Sequence, residues 1–95
     1  MPKGYVISRV DVKNPDAYAE YVALGTEAIR KFGGKLLVRG GKHEALEGVA
    51  RARNVVIEFE DYATARAYYH SADYQLAKAK RIGAAEMEMV LVEGV

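Results

Sequence analysis

Between Tyr5 and Val12 the chain reads YVISRVDV, a run rich in β-branched residues whose imperfect alternation predicts a strand. Asn14-Pro15-Asp16 follows and marks a helix start. Asn can cap free N–H groups, proline fits the first helical position, and aspartate suits the positive end of the helix dipole. Tyr18, Val22, Gly25, Ile29 and Phe32 then recur at helical spacing, which predicts a helix running to about Phe32 and stopped by Gly33-Gly34. Lys35 to Arg39 predicts a second strand, kinked or bulged at Gly40-Gly41 and continuing through His43 to Leu46. Glu47 to Arg53 reads as an exposed hairpin tip, and Asn54 to Glu60 (NVVIEFE) as a third strand. Asp61 can cap a helix carrying Tyr62, Ala65, Tyr68 and Tyr69, and Ser71 can interrupt it and cap a further segment to about Ile82. Glu86 to Glu93 (EMEMVLVE) predicts the last strand.

The order β-α-β-β-α-β in 95 residues predicts one α+β domain spanning 1–95. The expected fold is ferredoxin-like: an antiparallel sheet with its first and third strands central and both helices on one face. Alternation assigns Val6, Ser8, Val10, Leu36, Val38, Val55, Ile57, Phe59, Met87, Met89 and Leu91 to the helix side. It leaves Tyr5, Ile7, Leu37, Val56, Val90 and Val92 on the outer face. A wet outer face should be polar, so an apolar one on every strand predicts a homodimer paired through the sheets. The outer set also includes Arg9, Arg39 and Glu58, a candidate ion cluster able to fix pairing or to offer a guanidinium to an anion.

Composition narrows the function more than it defines it. The absence of cysteine excludes disulfides, zinc ribbons, iron–sulfur sites and thiol nucleophiles. Fourteen basic residues against thirteen acidic ones give no general attraction to nucleic acid or anionic membranes. RNA-recognition motifs share this topology, but Asn54 and Val56 stand where their stacking aromatics belong, so no nucleic-acid partner is expected. No apolar run approaches the ~20 residues of a membrane helix, and the N-terminus lacks a signal-type core, so a cytoplasmic protein is expected.

Several segments together carry a family resemblance: YVISRVDVKNPDAYAEY (Tyr5 to Tyr21), GGKLLVRGG (Gly33 to Gly41), Glu47-Gly48, VVIEF (Val55 to Phe59), AYYHSADYQ (Ala67 to Gln75) and LVEG (Leu91 to Gly94). In that order they resemble the bacterial domain-of-unknown-function family numbered thirteen-thirty. The resemblance implies a ferredoxin-like domain that pairs into a dimeric α+β barrel, with no established activity. Members often carry Trp-Tyr at Tyr68-Tyr69, Ser-Pro-Glu-Tyr at Ser71 to Tyr74, and tryptophan or proline near Val49 to Arg51; this chain departs at all three.

Related dimeric barrels include cofactor-free monooxygenases, lactone isomerases and haem-binding enzymes, with pockets between helix and sheet. That makes Tyr18, Tyr68, Tyr69, His70 and Tyr74 candidates for ligand contact. Tyrosines at helical spacing also serve as core with the hydroxyl at the rim. His70 is the catalytic candidate, as a general base or haem ligand, against the plainer role of a capping or surface residue. Lacking tryptophan, the chain does not favour haem degradation or quinone oxygenation, and no cofactor or metal is expected. Lys78, Lys80 and Arg81 read as a solvated face suited to the negative end of a helix. Arg51 and Arg53 on the hairpin are exposed arginines that could also reach a partner subunit. The expected function is binding, or cofactor-free conversion, of a small organic molecule in a helix–sheet cleft, with Arg39 receiving any anionic group. The alternative is a non-catalytic dimerisation or stress-accessory module.

Overall fold

The computed structural model describes residues 2–95. In chain order the elements are β1 (Gly4–Val12), α1 (Pro15–Lys31), β2 (Lys35–Arg39), β3 (Arg53–Phe59), α2 (Tyr62–His70), α3 (Ala72–Arg81) and β4 (Ala85–Glu93). The strands form one antiparallel sheet in the order β2-β3-β1-β4, with β1 and β3 central, as the ferredoxin-like pattern requires. The helices lie on one face, and the result is a slab of 36 × 33 × 16 Å.

The predicted caps set the helix ends. Asn14 Oδ1 accepts from the Ala17 amide at 3.2 Å, and Asp61 Oδ1 from that of Thr64 at 2.8 Å. Ser71 works in both directions: its hydroxyl donates to the Tyr68 carbonyl at 2.7 Å and accepts from the Tyr74 amide at 3.1 Å. One serine therefore ends α2 and starts α3. Gly33 ends α1 with φ +72°, a backbone conformation that side chains strain to adopt.

The core joins Val6, Val10, Val55, Ile57 and Phe59 of the sheet to Tyr18, Tyr21, Ala28, Ala65, Tyr68, Tyr74 and Ala77 of the helices. The predicted facing of β1, β3 and β4 holds. That of β2 does not. Leu36 pairs with Ile57, but the next pair is Val38 with Val56, so Leu37 is an extra residue in a β-bulge. After the bulge the parity inverts, putting Val38 with the outer face and Arg39, opposite Val55, with the helix side.

Regular pairing then stops. The Gly40 amide still donates to the Asn54 carbonyl at 2.8 Å, but β2 ends at Arg39 and the expected continuation through His43 to Leu46 is irregular chain. This long connection is held at its far end. Arg51 Nη1 lies 2.8 Å from Asp11 Oδ2 and 3.3 Å from Glu86 Oε2, while the Ala52 amide donates to Asp11 Oδ1 at 3.0 Å. Arg51 is thus committed to its own sheet.

Candidate functional site

The α1 helix packs most closely on α3. Between α1 and the sheet a cleft opens, with a free volume of about 50 Å³. Two small residues make room for it. Ser8 lies between Val6 and Val10 on the helix side of β1, and Gly25 stands on the inward face of α1. A valine and a leucine there would fill the space.

The cleft has a polar end and an apolar end. At the polar end stand Tyr18, from the start of α1, Arg53, which pairs with Val10 near the end of β1, and Arg39. At the other end are Ile29, Leu36 and Ile57, while Met87, paired with Val10, and Met89, paired with Ser8, form the wall toward β4 nearer the arginines. No aspartate or glutamate lines it. Arg53 lies over Gly40, where a Cβ would come within 2.7 Å of its Nη1. Glycine at φ +65° therefore serves both the turn and the arginine's path. The Nε of Arg53 is buried and has no hydrogen-bond partner among the described residues. A buried donor left unmade costs about 1–3 kcal/mol, so an acceptor belongs there.

Burial raises the Tyr18 phenol above its ordinary value, and the guanidinium of Arg53, with that of Arg81, opposes only part of the effect. Tyr18 thus keeps its proton at neutral pH and faces the cleft as a donor. Burial raises Tyr21 much further, helped by Tyr74, whose hydroxyl is 2.9 Å away. Behind this pair Arg81 is 9% exposed, its guanidinium carbon 5.4 Å from the centre of the Tyr21 ring. Arg81 is therefore packed inside, and only its neighbours on α3 form the solvated face expected of all three.

The candidate residues separate into groups. Tyr18, Tyr68 and Arg39 line the cleft. Tyr74 is fully buried beneath it, bonded to Tyr21. Tyr69 accepts a hydrogen bond from Lys78 Nζ at 2.9 Å, and His70 stands edge-on to its ring; both border a groove along β4 instead. Arg9 and Glu58 lie on the opposite face of the sheet from Arg39, so the expected three-residue cluster does not form. Arg9 pairs across the ladder with Asn54, and Glu58 accepts from the Tyr5 hydroxyl at 3.1 Å. Ser8, Tyr21, Gly25 and Arg53 were not among the expected ligand contacts. The alternation that turns Val55, Ile57 and Phe59 inward turns Arg53 inward too, a signal present in the sequence.

Among the described residues no cluster of three or more His, Asp or Glu could hold a metal ion, and no helix is long and apolar enough to cross a membrane.

Solved structures share the fold. A protein of unknown function from Rhodopseudomonas palustris aligns at TM-score 0.75 and 16% identity, covering 99% of this chain and 83% of that one. A dimeric ferredoxin-like protein of unknown function from Thermobifida fusca aligns at TM-score 0.57 and 16% identity, over 99% and 92%. The cofactor-independent oxygenase SnoaB from Streptomyces nogalater aligns at TM-score 0.55 and 14% identity, over 97% and 92%. No curated protein matches in sequence. The family model described as Domain of unknown function (DUF1330) matches residues 3–95, and the chain belongs to that family.

Proposed function

We propose that the protein is a homodimer that binds a small organic molecule in the cleft between α1 and the sheet. The observation that carries this reading is the cleft itself: apolar walls with a few polar groups gathered at one end, the usual make-up of a ligand site. Filling it would take only two larger side chains, at Ser8 and Gly25, and the chain has neither. The likeness of fold to a cofactor-independent oxygenase supports extending the reading from binding to cofactor-free conversion of the bound molecule. Tyr18 would then donate a hydrogen bond to an oxygen of the ligand. A dimer is supported by the apolar outer face and by the dimeric state of the Thermobifida fusca neighbour.

Native mass spectrometry of freshly purified protein tests the binding claim. A retained mass lost on Ser8→Leu supports it. An empty dimer whose Ser8→Leu variant is more stable, with no small molecule shifting amide resonances around the cleft, favours the non-catalytic dimerisation module.

A further inference from the structure

Two arginines enter the cleft and no carboxylate enters with them. Neither Arg39 nor Arg53 has an ion-pair partner among the described residues, whereas Arg51, two positions from Arg53, has three. Guanidinium groups stay charged at any pH the fold survives, so this end of the cleft is permanently cationic. Like charges gathered beside apolar walls repel each other, and they gain most from an anion between them. The buried, unpartnered Nε of Arg53 points to the same missing acceptor.

We infer that the ligand is a small, otherwise apolar monocarboxylate, its carboxylate held between Arg39 and Arg53 and its hydrocarbon part directed toward Ile29 and Leu36. This deepens the binding role proposed above and rests on it. The planar guanidinium fork matches a carboxylate, and two forks at one end set the ligand's direction. The Tyr18 phenol, protonated beside Arg53, adds a neutral donor for a carboxylate oxygen or an adjacent carbonyl. The opposite end offers no charged side chain to a second charged group. Size follows from volume. At about 10–15 Å³ for each water-sized group, 50 Å³ admits roughly four non-hydrogen groups in all, so the carboxylate sits at the rim, where Arg39 is exposed, and a short hydrocarbon part fills the cleft. Short-chain acids fit this limit, and long fatty acids do not.

The test uses butanoate, its neutral isostere butanamide, and inorganic phosphate, titrated into the intact protein at low salt while backbone amide resonances are recorded. Butanoate is expected to shift Tyr18, Gly25 and Val55, with butanamide and phosphate at least tenfold weaker. Arg53→Gln and Arg39→Gln should each weaken butanoate by about tenfold or more, as expected for lost hydrogen bonds to a charged group. Arg39 is exposed, so its variant reads binding without a cost in folding. If butanamide binds as well as butanoate, the carboxylate inference is overturned while the cleft remains a small-molecule site. Phosphate binding as tight as butanoate would overturn it too, in favour of a general anion site. If no probe shifts a cleft resonance and the purified protein is empty, both the inference and the binding role beneath it fail.

Discussion

The hydroxyls of Tyr21 and Tyr74 lie 2.9 Å apart inside the protein, joining α1 to α3 through the only polar atoms of two buried rings. Each hydroxyl satisfies the other, and Tyr74 has only the Met89 sulfur, 3.9 Å away, as a further acceptor. Tyr74→Phe should therefore cost about 1–3 kcal/mol, because it leaves the Tyr21 hydroxyl buried and alone. The double variant Tyr21→Phe, Tyr74→Phe should cost clearly less than the sum of the single changes. Urea unfolding of the four proteins measures the coupling. Additive losses would mean that the two hydroxyls act independently.

The same burial predicts a response to alkali. The Tyr18, Tyr21 and Tyr68 phenols are all raised above the ordinary 10.0, with burial the largest cause in each. Above that pH the unfolded chain gives up these protons and the folded protein keeps them, so stability falls as pH rises. Below about pH 10 these three groups should contribute no slope. Absorbance at 295 nm should show the three phenols ionising only together with alkaline unfolding. Smooth titration of all seven tyrosines near pH 10 in folded protein would contradict this.

Gly25 offers a test in which stability and binding move in opposite directions. A Cβ built there meets nothing nearer than the Tyr21 ring at 4.0 Å. Gly25→Ala should thus stabilise α1 by about 1 kcal/mol through helix propensity. That corresponds to roughly 4–8 °C in melting temperature for a domain of this size. The new methyl group intrudes on the cleft, so any retained ligand should bind more weakly. A more stable variant with undiminished binding would move the ligand out of this cleft.

The loop anchor predicts an acid response. The Asp11 carboxyl is held below its ordinary 3.8, first by the Ala52 amide and then by Arg51. Glu86 is lowered by Lys13 and Arg51. Groups with depressed folded values stabilise fully above the unfolded value and lose that effect as pH falls through the folded one. The anchor should consequently hold at neutral pH and release only below about pH 4. The Ala52 amide resonance, followed during acid titration, should give a midpoint under 3.8. Arg51→Ala should move it upward and speed hydrogen exchange of the Ala52 amide, which the anchor protects. A midpoint at or above the ordinary value would remove Asp11 from the anchor.

Much of this was legible in the chain, and what was not has identifiable causes. Asn14, Asp61 and Ser71 announce three helix starts because capping is local chemistry, readable over three or four residues. The facing of β1, β3 and β4 follows from period-two alternation. Arg39 is a candidate from the sequence, but its face is not legible, because a single extra residue at Leu37 inverts every position after it and KLLVR alternates equally well in either register. Arg53 is legible by parity yet falls within the expected exposed tip, since the strand begins two residues before its apolar run. Arg81 appears charged and terminal in the sequence. Only the packing of α3 on α1 shows that its guanidinium lies against Tyr21.

The bulge also sharpens the outer face. With Val38 turned outward, the register sets Val38 beside Val56, Val56 beside Ile7, and Ile7 beside Val90, an unbroken apolar row across all four strands. More polar rows flank it: Lys35, Glu58, Tyr5 and the apolar Val92 on one side, Asn54, Arg9 and Glu88 on the other. An apolar centre with a polar rim is the anatomy of a protein interface, and two such sheets laid face to face would bury roughly 1,600 Å² in total if of standard size. Val56 lies at the middle of the row, half-buried in one chain, so a charge there meets water in the monomer and apolar surface in the dimer. Val56→Asp should leave the circular dichroism spectrum unchanged and convert a species of twice 10.5 kDa into a single chain in light scattering. Leu76→Asp, on the exposed side of α3 and across the slab from the row, should stay dimeric. If the unmodified protein scatters as a single chain at micromolar concentration, the sheet-paired homodimer is wrong, and the apolar row needs another partner.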